Sequence, residues 1–473
     1  MSMIKGITCM GALALAIAVS TARAAAPADI HEAVAKDFDK RLKSLFLHFH
    51  QNPELSFRES KTAARLAKEL RALGYKVTEK VGGTGVVAVM RNGDGPTVML
   101  RADMDGLPVE ENSGLAYASK VKQKDMHGEL RPVMHACGHD VHVTALIGAA
   151  RQLAEHKQDW AGTLVLIGQP AEELISGARA MIEDGLYTRF PKPDVALAFH
   201  VSSGSAAGVL QVPPDIAYSS SDSVDIIVHG IGGHGASPHE TVDPVLVASQ
   251  IVVSLQSIVS RNINPLQPAV ITVGAIHGGS KHNIIGERVD MQLTVRSDSA
   301  EVRQQLLDDI DRVAKGVAIS MGVPDDKLPE VIRSKTESTP PTINDTASAE
   351  LVRTALTEQF GADRMEMKPR DGMGAEDFAY FVAPEHGVKG VYFSVGGAMP
   401  ADLAKPTPHH SPIFRVDYEP AVKTGAEAMT VGAMALLGKP LTRIAHATLR
   451  EGAASRPHPG PCINCEICAE ISP

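Results

Sequence analysis

Cysteine is scarce in this chain, with five in 473 residues. Cys9 lies in an apolar leader, and Cys462, Cys465 and Cys468 sit together near the end. The body between them holds Cys137 alone, which excludes a disulfide framework for the core. Aromatic residues make up 4% of the chain, which argues against a base-stacking surface. No basic run stands out and the formal net charge is −9, so neither nucleic acid nor an anionic membrane is expected as a partner. No internal repeat is visible.

The leader reads as an export signal. Lys5 supplies a short positive region, GITCMGALALAIAVS is an apolar stretch too short to span a bilayer comfortably, and Ala22-Arg23-Ala24 fits the small-x-small cleavage rule. Residues 1–24 are therefore expected to be a signal peptide, with Ala25 as the mature start and a periplasmic or secreted location. Cys9 lacks the leucine and small residues that precede a lipoprotein cysteine. Residues 448–473, rich in Pro, Gly and Ala, are expected to form a disordered tail. Its CINCEIC segment reads as an extension rather than a metal site.

What is present is 44% hydrophobic and 21% charged residues, enough for a sizeable core in a chain too long for one ordinary domain. DFDKRLKSLFLHFHQNPEL and ESKTAARLAKELRALGY carry apolar residues at helical period, with Gly74 as a helix stop. GVVAVM, TVMLRAD, TLVLIG and DVALAFH are short apolar runs that read as strands, and VTALIGAARQLAEH as a helix. Alternation of helices with apolar strands predicts an α/β domain around a mostly parallel sheet. From about Ser219 the texture changes to strand, helix, strand, strand, helix, a compact α+β module. The expected division is a catalytic domain over 27–218, an inserted module over 219–335, and the rest of the catalytic domain over 336–447.

The residues with chemistry to offer cluster at strand ends, where an open α/β sheet forms its ligand crevice. MHACGHDVH places three histidines, a cysteine and an aspartate within residues 134–142. Gly138 between Cys137 and His139 allows a tight turn that turns both side chains toward one point. TVMLRADMDGLP puts Asp103 and Asp105 past one strand, TLVLIGQPAEE puts Glu172 and Glu173 past another, and DVALAFH ends in His200. PTPHHSP carries His409 and His410 in a proline-rich loop. Each feature alone has a plainer explanation: a solvated acidic pair, a histidine bonded to backbone, a loop without a role. Their joint placement, with the one body cysteine among them, points instead to a pair of divalent cations held by thiolate, imidazole and carboxylate. Metal ligation would also shelter that thiol from oxidation. Of two adjacent glutamates, one can bind metal while the other takes a proton from the attacking water.

RADMDGLPVEE, MHACGHDVH, GQPAEE, GIGGHGASPH, HNIIG, GAEDFAYF and HHSPIF together resemble the amidohydrolase branch of the aminoacylase and carboxypeptidase G-like metallopeptidases. That branch includes hippurate hydrolases and plant hydrolases of auxin–amino acid conjugates, and the resemblance runs from about Phe38 to Leu437. It implies an α/β catalytic domain with helices on both sheet faces and an inserted α+β lid that forms a homodimer. It implies two divalent metal ions (manganese, zinc, cobalt or nickel) on Cys137, His139, Glu173, His200 and His410. In the same way Glu172 matches the general base, and Asp105 the aspartate that steadies a metal ligand. His234 matches a lid histidine that stabilises the oxyanion, in some relatives from the other subunit, and Asn283 a lid residue that contacts substrate. His410 rather than His409 is taken because it directly precedes Ser-Pro. The implied reaction is hydrolysis of N-acyl or N-aroyl amino acids by metal-activated water, with action on dipeptides or peptide C-termini as the alternative. A binding protein that has lost catalysis is argued against by the filled base and ligand positions. Leu174, Ile175 and Ser176 stand where relatives carry glycines, and Gly286 where they often carry proline. Both departures touch the walls of the site.

Overall fold

The computed structural model describes residues 30–438, with Asp371 excepted. The leader, its cleavage site and the cysteine-rich tail lie outside the described residues. Strands Thr97–Asp103 and Gly162–Gln169 are buried at nearly every position. That requires cover on both faces, and the cover divides by residue parity. Val98, Leu100, Leu164, Leu166, Leu197 and Phe199 face one core, while Met99, Val165, Ile167, Ala196 and Ala198 face the other. The long helices Ile30–Asp37, Lys43–Gln51, Ser60–Ala72, His139–Glu155, Thr346–Phe360 and Tyr418–Leu437 pack on the first face. Short helices Gly177–Glu183 and Leu186–Arg189 cover the second.

The sheet has seven strands in the order Lys76–Val81, Gly85–Asn92, Gly162–Gln169, Thr97–Asp103, Val195–Ala206, Lys389–Ala398, Leu210–Gln211. The four strands from Gly162–Gln169 to Lys389–Ala398 run parallel, and antiparallel partners close both edges. The carboxyl ends of Thr97–Asp103 and Gly162–Gln169 share one rim and lead into Asp105 and the Glu172–Glu173 pair, whereas His200, expected at a strand end, lies within Val195–Ala206, which continues to Ala206 by pairing with Lys389–Ala398. Helices His139–Glu155 and Tyr418–Leu437 meet through glycine. A Cβ on Gly148 would lie 2.8 Å from that of Ala426, so only hydrogen at Gly148 allows this approach.

The second module spans Ser221–Thr339. Its antiparallel strands lie in the order Ala269–Gly278, Arg288–Ser297, Ser221–His229, Glu330–Thr339. Helices Pro244–Ser257 and Ala300–Ser320 close its own core over Val224, Ile226, Val228, Met291 and Leu293. The expected strand-helix-strand-strand-helix order is present, followed by a strand that the sequence reading lacks. Glu330–Thr339 is a charged, largely exposed edge strand, so no alternation of apolar residues marks it. The expected boundary at residue 335 falls inside it. Short strands Ile216–Tyr218 and Thr342–Ile343 pair where the chain leaves and re-enters the larger module.

Candidate metal centre

Gly138 sets the geometry of the first segment. Its φ is +86°, and a Cβ there would lie 2.3 Å from Val201 Cγ1. Glycine alone fits, and it caps the helix that begins at His139. Cys137 and His139 thus emerge on either side of one tight turn, as their spacing predicts. His139 Nδ1 lies 2.9 Å from the Asp105 carbonyl oxygen and 3.2 Å from Asp105 Oδ1. Those acceptors assign the proton to Nδ1. Nε2 is then free to face Asp103 Oδ2 at 3.7 Å and Glu172 Oε2 and Glu173 Oε1 at 3.9 Å each.

The Gln169–Gly177 turn presents the two glutamates. Ala171 and Ile175 both adopt left-handed backbone, at φ 48° and 51°, on either side of a short 3-10 turn over Glu172–Leu174. Asp105 Oδ2 accepts from the Glu173 amide at 3.0 Å, so one aspartate orients both His139 and the glutamate turn. A carboxylate so placed fixes the orientation of the side chains it bonds. His200 donates through Nδ1 to the Val201 carbonyl at 2.7 Å and turns Nε2 to Cys137 Sγ at 3.4 Å. His410, at φ 60°, lies with Nε2 3.3 Å from Glu173 Oε2.

Five overlapping trios result, each with ligand atoms within 4.8 Å of one another; three hold the expected ligands, Cys137–His139–His200, Cys137–Glu173–His410 and His139–Glu172–Glu173, and Asp103–His139–His142 and Glu172–Glu376–Asp377 adjoin them. His139 Nε2 and Glu173 Oε1 are buried and have no hydrogen-bond partner among the described residues. Unpaired buried groups are costly, and two of them aimed into one gap mark a place for a cation. The electrostatics agree. Burial, reinforced by Glu173 and Glu172, pushes the Cys137 thiol well above its usual range. Burial, with Glu376 and Glu173 beside it, does the same to Glu172. Burial raises Glu173 to about 8 against the opposing pull of His139. Burial alone would depress His139, yet Asp103 and Asp105 hold it up at about 10. Burial lowers His200 well below its usual value. A neutral thiol, a neutral His200 imidazole and protonated acids in one gap are groups that divalent cations would turn into ligands, displacing the proton that Asp103 and Asp105 now keep on His139. The donor set fits two such ions, with Cys137 belonging to two of the trios.

Several groups at the site escaped the sequence reading. His409, set aside there, lies with Nδ1 3.7 Å from Cys137 Sγ. Beneath the cluster His142 donates through Nδ1 to Asp103 Oδ1 at 2.6 Å and accepts the Val201 amide on Nε2 at 2.9 Å, which locks the backbone next to His200. Asp103 in turn pairs with buried Arg101, which also holds Glu376 at 2.7 Å. Glu376 and Asp377 belong to the GAEDFAYF segment already quoted, the one signal that could have found them. The cluster opens into a cleft of about 910 Å³, whose walls include Tyr218, Arg296, Lys368 and Arg370.

His234 and Asn283 are not in this cleft. They adjoin each other on an exposed hairpin of the second module, where Gly233–His234 pairs with Ile284–Ile285 and the Gly235 amide donates to the Asn283 carbonyl at 3.0 Å. Neither residue lines the cleft of its own chain. His234 instead accepts the Ala236 amide on Nδ1 at 3.0 Å.

The family model of Peptidase family M20/M25/M40 matches residues 99–431. A hippurate hydrolase of Campylobacter jejuni is 37% identical over 346 residues, covering 73% of this chain and 86% of the relative. Thermostable carboxypeptidase 2 of Saccharolobus solfataricus is 38% identical over 383 residues, covering 80% and 91% respectively. Among solved structures, the YXEP protein of Bacillus subtilis, described as a dinuclear metal binding peptidase from the M20 family, superposes with a TM-score of 0.70 at 27% identity. That match covers 85% of this chain and 99% of the other. With the fold, the donor cluster and these relatives in agreement, the chain belongs to Peptidase family M20/M25/M40 and is a metal-dependent hydrolase of amide bonds.

Proposed function

We propose that the protein hydrolyses the amide bond of N-acyl or N-aroyl amino acids of the hippurate type, releasing a carboxylic acid and a free amino acid. The observation that carries this reading is the cluster around unpaired His139 Nε2 and Glu173 Oε1, with Glu172 beside it on the wall of the cleft. Manganese, zinc, cobalt or nickel on Cys137, His139, Glu173, His200 and His410 would supply Lewis acidity to the amide carbonyl and the attacking water. Glu172 takes the water's proton and returns it to the leaving nitrogen. Its surroundings favour that role, since burial and the neighbouring Glu376 and Glu173 make it an unusually basic carboxylate. Arg296 suits the free carboxylate of the substrate. It lines the cleft half-buried and has no ion pair among the described residues, its side chain reaching Thr294 Oγ1 and the Met373 carbonyl.

A second reading, cleavage of dipeptides or C-terminal residues, shares every one of these groups and is favoured by the relative named a carboxypeptidase. The separating experiment supplies metal-reconstituted protein with hippurate, N-acetyl amino acids and unblocked dipeptides, and follows amino acid release. Turnover of dipeptides with none of the acylated substrates would replace the first reading with the second. Glu172→Gln is expected to keep its metal content and lose turnover by about 10²–10⁴-fold. Undiminished turnover removes Glu172 from the base role. The proposal also places the mature protein outside the cytoplasm, on the strength of its leader, and makes it a homodimer through the inserted module. The exposed His234–Asn283 hairpin supports the dimer, since it lies away from the cleft of its own chain.

A further inference from the structure

The proposed reaction needs Glu172 held at one point, yet the backbone that carries it is strained. Ala171 and Ile175 sit in left-handed conformations that residues with a Cβ rarely adopt. Strain of this kind persists where the surroundings over-determine it. Three buried carboxylates grip this turn. Asp377 accepts the Ala178 amide at 3.0 Å and Gln169 Nε2 at 2.5 Å. Asp105 accepts the Glu173 amide at 3.0 Å. Glu59, with no solvent exposure, accepts the Ala171 amide on Oε1 at 2.8 Å.

Glu59 differs from the other two. Asp105 also contacts His139, and Asp377 also lies beside Arg101. The side chain of Glu59 bonds to Ala171, to the Phe57 amide at 2.9 Å and to the Thr84 hydroxyl, and it touches none of the metal donors directly among the described residues. Phe57 is itself left-handed, at φ 58°. One carboxylate oxygen thus pins two strained residues more than a hundred positions apart in sequence, and its hydrogen-bonded link to the site runs through the Ala171 amide, beside the charge of neighbouring Asp105.

We propose that Glu59 is a positioning residue for Glu172, fixing through the Ala171 amide the left-handed turn that aims the Glu172 carboxylate into the cleft. The inference rests on the reading of Glu172 as general base. Glu59→Ala is expected to lower kcat on the order of a hundredfold, the effect of a small misplacement of a reacting group. KM should stay within about twofold, because the groups that bind substrate are untouched. Metal content should be unchanged, and hydrogen exchange across 169–177 should be faster than in the wild type. Glu59→Gln keeps an acceptor for both amides and a donor for Thr84, and should restore most of the rate. A folded Glu59→Ala with wild-type kcat and wild-type exchange overturns the proposal. So does a Glu59→Gln as impaired as Glu59→Ala, since charge rather than the hydrogen bonds would then matter. Should Glu59→Ala fail to fold, Thr84→Val tests the same grip by removing the hydroxyl that orients Oε2. A fall in kcat of about tenfold is expected of it, the worth of one hydrogen bond, and an unchanged kcat overturns the proposal. The exchange measurement needs no substrate, so a wild type without activity on N-acyl amino acids would sink the functional reading alone.

Discussion

Arg101 has a side chain fully shielded from solvent, set among Asp103 at 2.5 Å, Glu376 at 2.7 Å and Asp377 at 3.5 Å. It is the counter-charge that lets so many carboxylates gather under the metal donors. Removing one partner of a buried ion pair leaves the others uncompensated, so Arg101→Met is expected to cost about 3–5 kcal/mol. Urea unfolding checks this, and a loss below about 1 kcal/mol would show that the acids below the site stay neutral without it. The RADMD segment revealed Asp103 and Asp105 because acids past an apolar strand are conspicuous. It did not reveal the role of Arg101, whose partner Glu376 lies 275 positions away. A second buried cluster escaped notice for the same reason. His50 bridges Asp140 at 2.6 Å and Glu111 at 3.1 Å. Burial works against its charge, but those two carboxylates outweigh it and raise His50 from 6.5 to about 9. The folded state therefore binds this proton more tightly than the unfolded chain. The stabilisation, at most about 3 kcal/mol, is complete below pH 6.5 and is lost as pH rises through 9. Urea midpoints at pH 6 and pH 10 should differ in that sense, and His50→Gln should shrink the difference. Equal slopes in wild type and variant would remove His50 as its source.

At the level of elements, the chemistry depends on where a helix starts. Apolar periodicity placed the helix near Val143, and the structure begins it at His139, so that a candidate ligand occupies its first turn. The signal was the glycine of MHACGHD rather than the period. Gly138→Ala combines a disfavoured φ with a Cβ 2.3 Å from Val201, the residue after His200. Relief must shift either the Cys137–His139 turn or the strand that carries His200. The expected results are a loss of roughly 1–3 kcal/mol in stability and a 10–100-fold loss in metal affinity, read by urea unfolding and by titration of the metal-free protein. Intact affinity would show that the turn does not set the ligands. The strands of the central sheet were legible because burial on both faces leaves an almost unbroken apolar run, as in TLVLIG. Strand Glu330–Thr339 was not legible, because one edge and one exposed face leave it polar residues such as Arg333, Ser334 and Lys335. Pairing with Ser221–His229 holds it, and no local pattern reports that.

At the scale of the molecule, the cleft lies where the modules meet, with Cys137, Glu172 and His410 on one side and Ser221 and Arg296 on the other. The change of texture along the sequence distinguished two modules, but it could not say that His234 and Asn283 share an exposed hairpin that does not line their own chain's cleft. A dimer would let them serve the cleft of another copy. The inserted module offers a surface for that copy. Leu246 and Val253 on helix Pro244–Ser257 are 58% and 66% exposed, and neighbouring strand Ala269–Gly278 is an open sheet edge. Two crippled chains decide the matter. Glu172→Gln destroys the base in its own cleft but keeps His234 to lend, whereas His234→Ala keeps its base and lacks the histidine its partner needs. Each alone should be nearly inactive. Mixed and allowed to exchange subunits, half the dimers would be hybrids with one complete cleft of two, so roughly a quarter of wild-type activity should return. Recovery of that size requires His234 to act across the interface. A dimeric mixture that stays inactive would confine each cleft to its own chain, and a monomer with full activity would leave His234 without a part in the reaction.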